Sequence, residues 1–336
     1  MKLTRLSLSM IEAVEKELRH QVARLPDSSP GSCREMIEYH MGWIPQPDRG
    51  IGGKRVRPLL LLLCNSAAGA EWPMALPAAA AIELTHNFTL VHDDIEDESE
   101  TRRGQPTLWS RWGAALSVNA GDALFVLASR SILDLTERYR PQTVIRAAQL
   151  MQEAALALTQ GQHLDMTYQS RPTLTIDEYW PMVSGKTAAL LGVSAQIGAV
   201  LAGGEPEREE YYRLFGHHLG LAFQLQDDAL GIWGDEAQTG KSAASDLASG
   251  KKTYPILIGV ERSPRFASRW AAGRISTAEV PDMAALLASV GAKDETYGRA
   301  REHTEKALAY LQEAAPAGQP GVELRSLAAQ LVQRDK

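Results

Sequence analysis

The chain has 336 residues, 44% of them hydrophobic and 23% charged. That is enough for one large domain or two smaller ones, and the composition excludes collagen-like, low-complexity and wholly disordered sequence. Acidic residues outnumber basic ones by 41 to 35, for a net charge of −6, so no chain-wide affinity for nucleic acid or anionic lipid is expected, although a local basic cluster could hold a phosphate. Cys33 and Cys64 supply neither a disulfide framework nor a zinc site, and a reducing, cytoplasmic setting is the simplest expectation. No stretch reads as membrane-spanning. The leucine run at 59–63 is stopped by Asn65 and Ser66, far below the ~18 apolar residues required. Lys2, Arg5, Glu12, Glu15 and Lys16 leave no uninterrupted apolar leader.

Helical periodicity dominates. Ile11, Val14, Leu18 and Val22 mark an amphipathic first helix. Loops follow at 26–32 and 45–53, both rich in Pro and Gly. Ala/Leu-rich stretches then predict helices over 56–70, 75–98, 115–138, 142–168, 176–202, 207–233 and 253–261, with more in 277–335. Pro or Gly stands at each break. No run of alternating Val, Ile and Thr suggests a sheet, and no linker is long enough to separate domains, so one all-α domain over 1–336 is expected.

Two apolar helical runs end in a pair of aspartates. Phe88, Thr89, Leu90 and Val91 lead to Asp93 and Asp94, and Phe223, Gln224 and Leu225 to Asp227 and Asp228. Asp93 and Asp97 stand at i and i+4, so on a helix their carboxylates share a face and repel. An exposed acidic face is the bland account of such a run, yet this one begins where a buried helix should still be buried. Hard oxygen ligands one turn apart suit Mg²⁺, which keeps water and substrate phosphate in its shell. In the second segment the i+4 position is Gly231, and Asp235 follows Gly234. A solvated helix end would explain this pair alone; two such pairs in one chain favour a metal held between facing helices.

The cations are placed to match. Gly52 and Gly53 precede Lys54, Arg55 and Arg57 at the expected start of a helix, a place suited to an anion, though the motif alone also reads as a solvated basic turn. Arg102 and Arg103 lie just beyond Asp97, where guanidinium forks could clamp a diphosphate. Lys186, Lys241, Lys251 and Lys252 each adjoin Gly or Thr. A Walker-type loop is excluded, because GKS at 240–242 lacks the upstream glycine and follows no strand. His86 and His92 sit singly, His217 and His218 as a pair, and no nucleophile–base set or zinc site is evident. Paired carboxylates, phosphate-seeking cations and an apolar helical interior suggest a substrate with a diphosphate head and a hydrocarbon tail.

The segments GGKRVRP (52–58), IELTHNFTLVHDDIEDESETRRGQPT (82–107), GKTA (185–188), FQLQDDALGIWGD (223–235) and TGKSAASDLASGKKTYPI (239–256) resemble, in the same order, the motifs of the all-trans isoprenyl diphosphate synthases. The resemblance covers residues 50–260. It implies a helical bundle around a deep central cavity, the type I isoprenoid synthase fold, usually as a homodimer, with the two acidic motifs facing each other at the mouth. It implies Mg²⁺ as cofactor, with Asp93 and Asp97 as ligands, Asp94 in support, and Asp227 beside Asp228 as the opposite arm. Lys54, Arg57, His86 and Arg103 match the pocket for isopentenyl diphosphate. Arg102, Lys186, Gln224, Lys241 and Lys251 match contacts to the allylic diphosphate, and Thr187 and Gln224 lie where a dipole can steady an allylic cation. The implied reaction is ionisation, condensation and elimination, with the proton passing to the departing diphosphate.

Gly231 departs from the pattern, since many members carry a third aspartate there. A class I terpene cyclase of the same fold would need no second diphosphate pocket, which sets the Lys54, Arg57, His86 and Arg103 group against that reading. A non-catalytic partner subunit would be expected to have lost acidic ligands, and the first motif is whole. Phe88 stands about 7.5 Å below Asp93 on one helix, at ~1.5 Å per residue, and resembles the aromatic floor of short-chain synthases. The small Thr89 beside it favours a C20 product, geranylgeranyl diphosphate, over C15 farnesyl diphosphate.

Overall fold

The computed structural model describes residues 4–26, 29–44, 53–171, 173–234 and 245–332. Among these the helices run α1 (Arg5–Val22), α2 (Cys33–His40), α3 (Val56–Ala67), α4 (Leu76–Glu96), α5 (Leu108–Trp112), α6 (Ala114–Leu133), α7 (Pro141–Gln169), α8 (Ile176–Val183), α9 (Ala189–Leu201), α10 (Pro206–Trp233), α11 (Ser245–Ser249), α12 (Tyr254–Arg262), α13 (Pro264–Ala271), α14 (Val280–Ser289), α15 (Ala292–Glu313) and α16 (Gly318–Val332). The fold is all-α, as the periodicity predicts.

Local chemistry sets the ends of these helices. The Thr4 side chain accepts the Ser7 N–H at 3.2 Å and opens α1, which buries Met10, Val14, Leu18 and Val22 along one stripe. Thr175 and Glu178 form a capping box at the start of α8. Pro141, Pro206 and Pro264, which punctuate the sequence as breaks, stand in first helical turns, where a missing N–H costs nothing.

Apolar helices take the centre. Leu59, Leu60, Leu61, Leu62 and Leu63 of α3 are all buried, and α9 is buried along nearly its whole length. The two cross closely; α1, α4, α7, α10 and α16 surround them. By length and composition one helical segment among the described residues, Ala114–Glu137, could cross a membrane. One face of it, carrying Ala120, Leu124, Leu127 and Ile132, is built into the bundle core against α4. The second apolar cluster lies where α8 and the lower half of α10 meet α12 to α15.

Two details depart from the periodicity. Residues 101–102 and 105–106 pair as a minimal antiparallel hairpin, Thr101 opposite Pro106 and Arg102 opposite Gln105. Arg103 and Gly104 turn it with φ of 53° and 73°, the positive values that a two-residue hairpin turn requires. The expected continuous helix over 176–202 is interrupted by a π-helical turn, Ser184–Ala188. Pro181 lies inside the helix that precedes this turn, where it withholds one N–H from the ladder.

The junction of α10 and α15 is lined by imidazoles. His218 and His303 bring their Nδ1 atoms within 2.9 Å, His218 stacks on Tyr310 and His303 lies against Trp180. Burial, followed by the neighbouring His218 and Lys306, pushes His303 down to about 4 from 6.5, and burial likewise takes His217 to about 4. These rings stay neutral in the folded chain at pH values where the unfolded chain binds protons, so stability falls as pH drops from about 6.5 towards about 4. Melting curves should therefore lose on the order of a few degrees between pH 7 and 5, with a shallower decline in His303→Gln.

Candidate active site

α4 carries Asp93 and Asp94 in its last turn and Asp97 as its C-cap. Carboxylates there oppose the negative end of the helix dipole, so the arrangement needs outside cations. Asp94 has one: Arg102 donates Nε to both of its oxygens at 2.8 and 2.9 Å, and Nη2 lies 2.8 Å from Oδ1. Asp93 remains strained electrostatically. Burial raises it to about 6, Lys186 opposes the rise, and Asp97 and Glu96 add to it. Glu96 accepts a bond from Gln162 of α7 at 2.7 Å, which ties the acidic end of α4 to that helix.

One pocket of about 370 Å³ lies beside α4 and is lined by Lys54, Arg57, Glu83, His86, Arg103 and Phe223 among others. Arg57 Nη1 lies 3.3 Å from His86 Nε2. Burial, and after it the Arg57 charge, holds His86 well below the usual imidazole range, so its neutral ring can accept from the guanidinium. Burial also lowers Arg57, with Glu83 and Asp227 working the other way. Arg103 arrives from the hairpin turn, and its guanidinium lies directly over Gly53, where an added Cβ would stand 3.0 Å from Nη2. The left-handed residue Arg55, φ 46°, precedes α3 and sets the direction of Lys54 and Arg57; for a non-glycine residue that conformation costs about 1–2 kcal/mol.

A second pocket, about 160 Å³, gathers Asp165, Lys186, Thr187, Gln224, Asp227 and Lys251, with Asp228 and Asp246 also in its wall. The π-helical turn supplies Lys186 and Thr187. It lies hard against α7: an added Cβ on Gly161 would meet the Lys186 backbone nitrogen at 2.2 Å, and one on Gly185 the Ala157 carbonyl at 2.5 Å. Burial works against the Lys186 ammonium, but Asp165 and Asp93 outweigh it and hold its pKa up, and the amine donates to Asp165. Thr187 donates to Gln224 Oε1 at 2.7 Å, and Gln224 Nε2 to Asp228 Oδ1 at 2.8 Å.

Asp228 lies inward, its Oδ2 taking the Tyr179 hydroxyl at 2.8 Å and the Tyr254 N–H at 3.0 Å. Burial raises its pKa to about 7. Both of its oxygens are engaged, and of the second aspartate pair it is Asp227 whose charge reaches Arg57 in the neighbouring pocket. Where a third aspartate would extend from residue 231, the carboxylate of Asp246 stands instead: a Cβ on Gly231 would lie 2.0 Å from its Oδ2.

The structure thus brings Lys54, Arg57, His86 and Arg103 into one pocket and Lys186, Thr187, Gln224, Asp227 and Lys251 into another, with Asp93 in electrostatic reach of Lys186. Lys241, Gly52 and Asp235 lie outside the described residues. Lys252 donates to the Tyr168 and Gln169 carbonyls at the end of α7. Among the described residues no three carboxylate, imidazole or thiol groups converge closely enough to hold a metal by themselves. Phe88 packs on Phe125 of α6 at 5.0 Å between centroids and edge-on to His92 at 5.8 Å. Thr89 is buried and donates to the His86 carbonyl at 2.8 Å. Sequence reading did not single out Asp165, Tyr179, Asp246, Glu83 or Phe125. Of these Asp165 and Glu83 leave a local trace, each an acidic residue within an Ala/Leu-rich stretch, 142–168 and 75–98.

The polyprenyl synthetase family model matches residues 48–283. The chain is 36% identical over 344 residues to a (2E,6E)-farnesyl diphosphate synthase of Mycobacterium bovis, covering 99% of this chain and 95% of that protein. It is 35% identical over 318 residues to a geranylgeranyl diphosphate synthase of Mycobacterium tuberculosis, covering 92% and 90%. A polyprenyl synthetase from Streptomyces coelicolor A3(2), known by crystal structure, superposes with a TM-score of 0.88 at 35% identity over 96% of this chain and 97% of that one. Extent of identity, fold and motif order agree: the chain belongs to the polyprenyl synthetase family of prenyltransferases.

Proposed function

We propose that this chain joins isopentenyl diphosphate head-to-tail to an allylic diphosphate and releases a short-chain all-trans prenyl diphosphate, C20 geranylgeranyl diphosphate as its main product. The observation that carries this reading is a pair of pockets beside the acidic motifs, one cationic, with Lys54, Arg57 and Arg103, and one in which Lys186, Lys251 and Lys252 face four aspartates. Two diphosphates need two such pockets; a terpene cyclase holds one, and a non-catalytic subunit has no use for either.

In this reading Lys54, Arg57, His86 and Arg103 hold isopentenyl diphosphate. Lys186 and Lys251, with Gln224 and Lys241, hold the allylic diphosphate. Arg102 keeps Asp94 in place and, 31% exposed at its side chain, has a face left for that phosphate. The donor set fits Mg²⁺: the oxygens are hard, Asp93 is crowded by Asp97 and Glu96, and an open set of carboxylates is what an ion completed by water and diphosphate requires. Asp93, Asp97 and Asp227 would hold it, with Asp94 and Asp228 behind them. When bound there, Mg²⁺ supplies positive charge to the departing diphosphate.

The chain's own groups do the rest. Lys186 and Lys251 take up charge on the leaving oxygens as the allylic C–O bond breaks. The dipoles of Thr187 and Gln224, fixed by the bond to Asp228, face the resulting cation. The double bond of isopentenyl diphosphate closes the new C–C bond, and the proton lost from the adjacent carbon goes to the departing diphosphate. Apolar helix faces below exclude water that would quench the cation. We read 1–336 as one domain, because α10 contributes to both apolar clusters, and the enzyme as cytoplasmic. Val126 and Leu133 of α6 and Ile145 and Leu156 of α7 are each more than half open, apolar surface that a second copy would cover in a homodimer.

Asp93→Ala should lower turnover by about 100-fold or more and Asp227→Ala by a similar factor, measured with isopentenyl diphosphate and C5, C10 and C15 allylic partners at saturating Mg²⁺; near-parental rates in both would remove the metal assignment. Product sizing by mass spectrometry should find C20 in the parent. In Phe88→Ala the chain should lengthen beyond C20, and in Phe125→Ala by less, because the Phe88 ring loses only its backing; C15 in the parent would put the floor higher. Gly231→Asp sets a second carboxylate against Asp246, and both its melting temperature and its rate should fall below the parent's.

A further inference from the structure

Arg55 and Glu83 in the wall of the head-group pocket form, with the partly exposed Glu15 behind them, an ion triad that the assignments above do not use. Arg55 is 2% exposed. It donates Nε to Glu15 at 2.5 Å and Nη1 to Glu83 at 2.7 Å, while its Nη2 is buried without a partner. Glu83 stands one turn before His86 on α4 and also lines the pocket. Glu15 comes from α1, and its other oxygen accepts the Trp43 indole N–H at 3.0 Å. A carboxylate of the N-terminal helix, aimed by an indole, therefore grips the residue that sits between Lys54 and Arg57 in the chain. It grips that residue at the left-handed position, where a change of backbone direction would carry both neighbours with it.

We propose that Glu15 is a positioning residue for the isopentenyl diphosphate pocket, acting through Arg55 to hold Lys54 and Arg57 where the diphosphate meets them. The inference rests on the pocket assignment above. A buried guanidinium needs its partners; with one carboxylate removed it must turn towards water or lean on Glu83 alone. Because the left-handed φ of Arg55 persists only while its contacts hold it, a loosened Arg55 relaxes towards ordinary φ, the segment 53–57 turns with it, and Arg57 loses its register against His86. Charge and position predict opposite signs. If Glu15 acted only as a negative charge near an anion site, its removal would tighten diphosphate binding; if it positions, removal weakens binding.

The test is calorimetric titration of the full-length protein with isopentenyl diphosphate alone, where no turnover can occur, compared with titration of an allylic thiolodiphosphate. Glu15→Gln and Glu15→Asp should both raise the Kd for isopentenyl diphosphate about five- to tenfold. Gln cannot neutralise Arg55, and Asp keeps the charge but is too short to reach Arg55 and Trp43 together. Affinity for the allylic analogue should stay within about twofold in each. Tighter or unchanged isopentenyl diphosphate binding in Glu15→Gln, or equal weakening of both ligands, would overturn the proposal. Trp43→Phe removes the bond that aims the carboxylate while leaving a ring beneath Arg19, and should weaken isopentenyl diphosphate by about twofold; if the Glu15 variants fail to fold, no change in Trp43→Phe overturns the proposal instead. Arg57→Ala serves as the reference: unchanged binding there would bring down the pocket assignment itself, whereas weakened binding there with parental binding in the Glu15 variants brings down this inference alone.

Discussion

Repulsion between like charges is the constraint on which this molecule is built. Asp93, Asp94 and Asp97 crowd the end of α4 against its own dipole, and Asp227 and Asp228 stand near the end of α10. On the other side Lys54, Arg57 and Arg103 share one pocket. Neither group is stable by itself. The fold interleaves them, so that Asp94 meets Arg102, Asp93 feels Lys186 and Arg57 feels Asp227, and leaves over the residual charge that a metal and two diphosphates would balance.

The interior makes that interleaving rigid. Asp228 collects a phenol, an amide side chain and a backbone N–H from three different elements, and so fixes Gln224, which in turn fixes Thr187. A buried polar network of this kind is worth having only when each member is satisfied. Arg55 has the corresponding role among the cations, tied to α1 and α4 at once. Such buried pairs contribute little net stability compared with apolar packing; their contribution is direction, and the apolar crossing of α3 and α9 supplies the stability against which direction can be held.

Much of this was legible in the sequence. The helices fall close to the Ala/Leu-rich stretches, because each must bury an apolar stripe and the stripe is written in the spacing. The paired aspartates and the glycine-flanked lysines announce the chemistry. What stayed hidden is what only three dimensions bring together. Asp246 and Gly231 are distant in sequence and meet because a short helix folds back onto α10. Asp228 looks like a twin of Asp227, yet helical rotation turns it inward to a tyrosine that no local pattern connects to it. The hairpin at 101–106 is too short to alternate, and Phe125 reads as an ordinary core aromatic until α6 sets it against Phe88.

The π-helical turn at Ser184–Ala188 also acts as an angular offset. A turn with i→i+5 bonds takes in one residue more than an α-helical turn, and each helical residue advances the direction of the side chains by about 100°. The side chains of α9, buried on every side, are therefore rotated relative to those of α8, and the two halves serve different neighbours, α8 the outer cluster and α9 the central axis. Removing a single residue from this turn would restore a continuous helix and rotate α9 by about 100° relative to α8. The contacts of α9 with α3 and α10 would then fall out of register, and Lys186 and Thr187 would leave the pocket that they share with Gln224 and Asp227. The length of this segment is thus fixed to the residue by geometry, as is the absence of a side chain at Gly185.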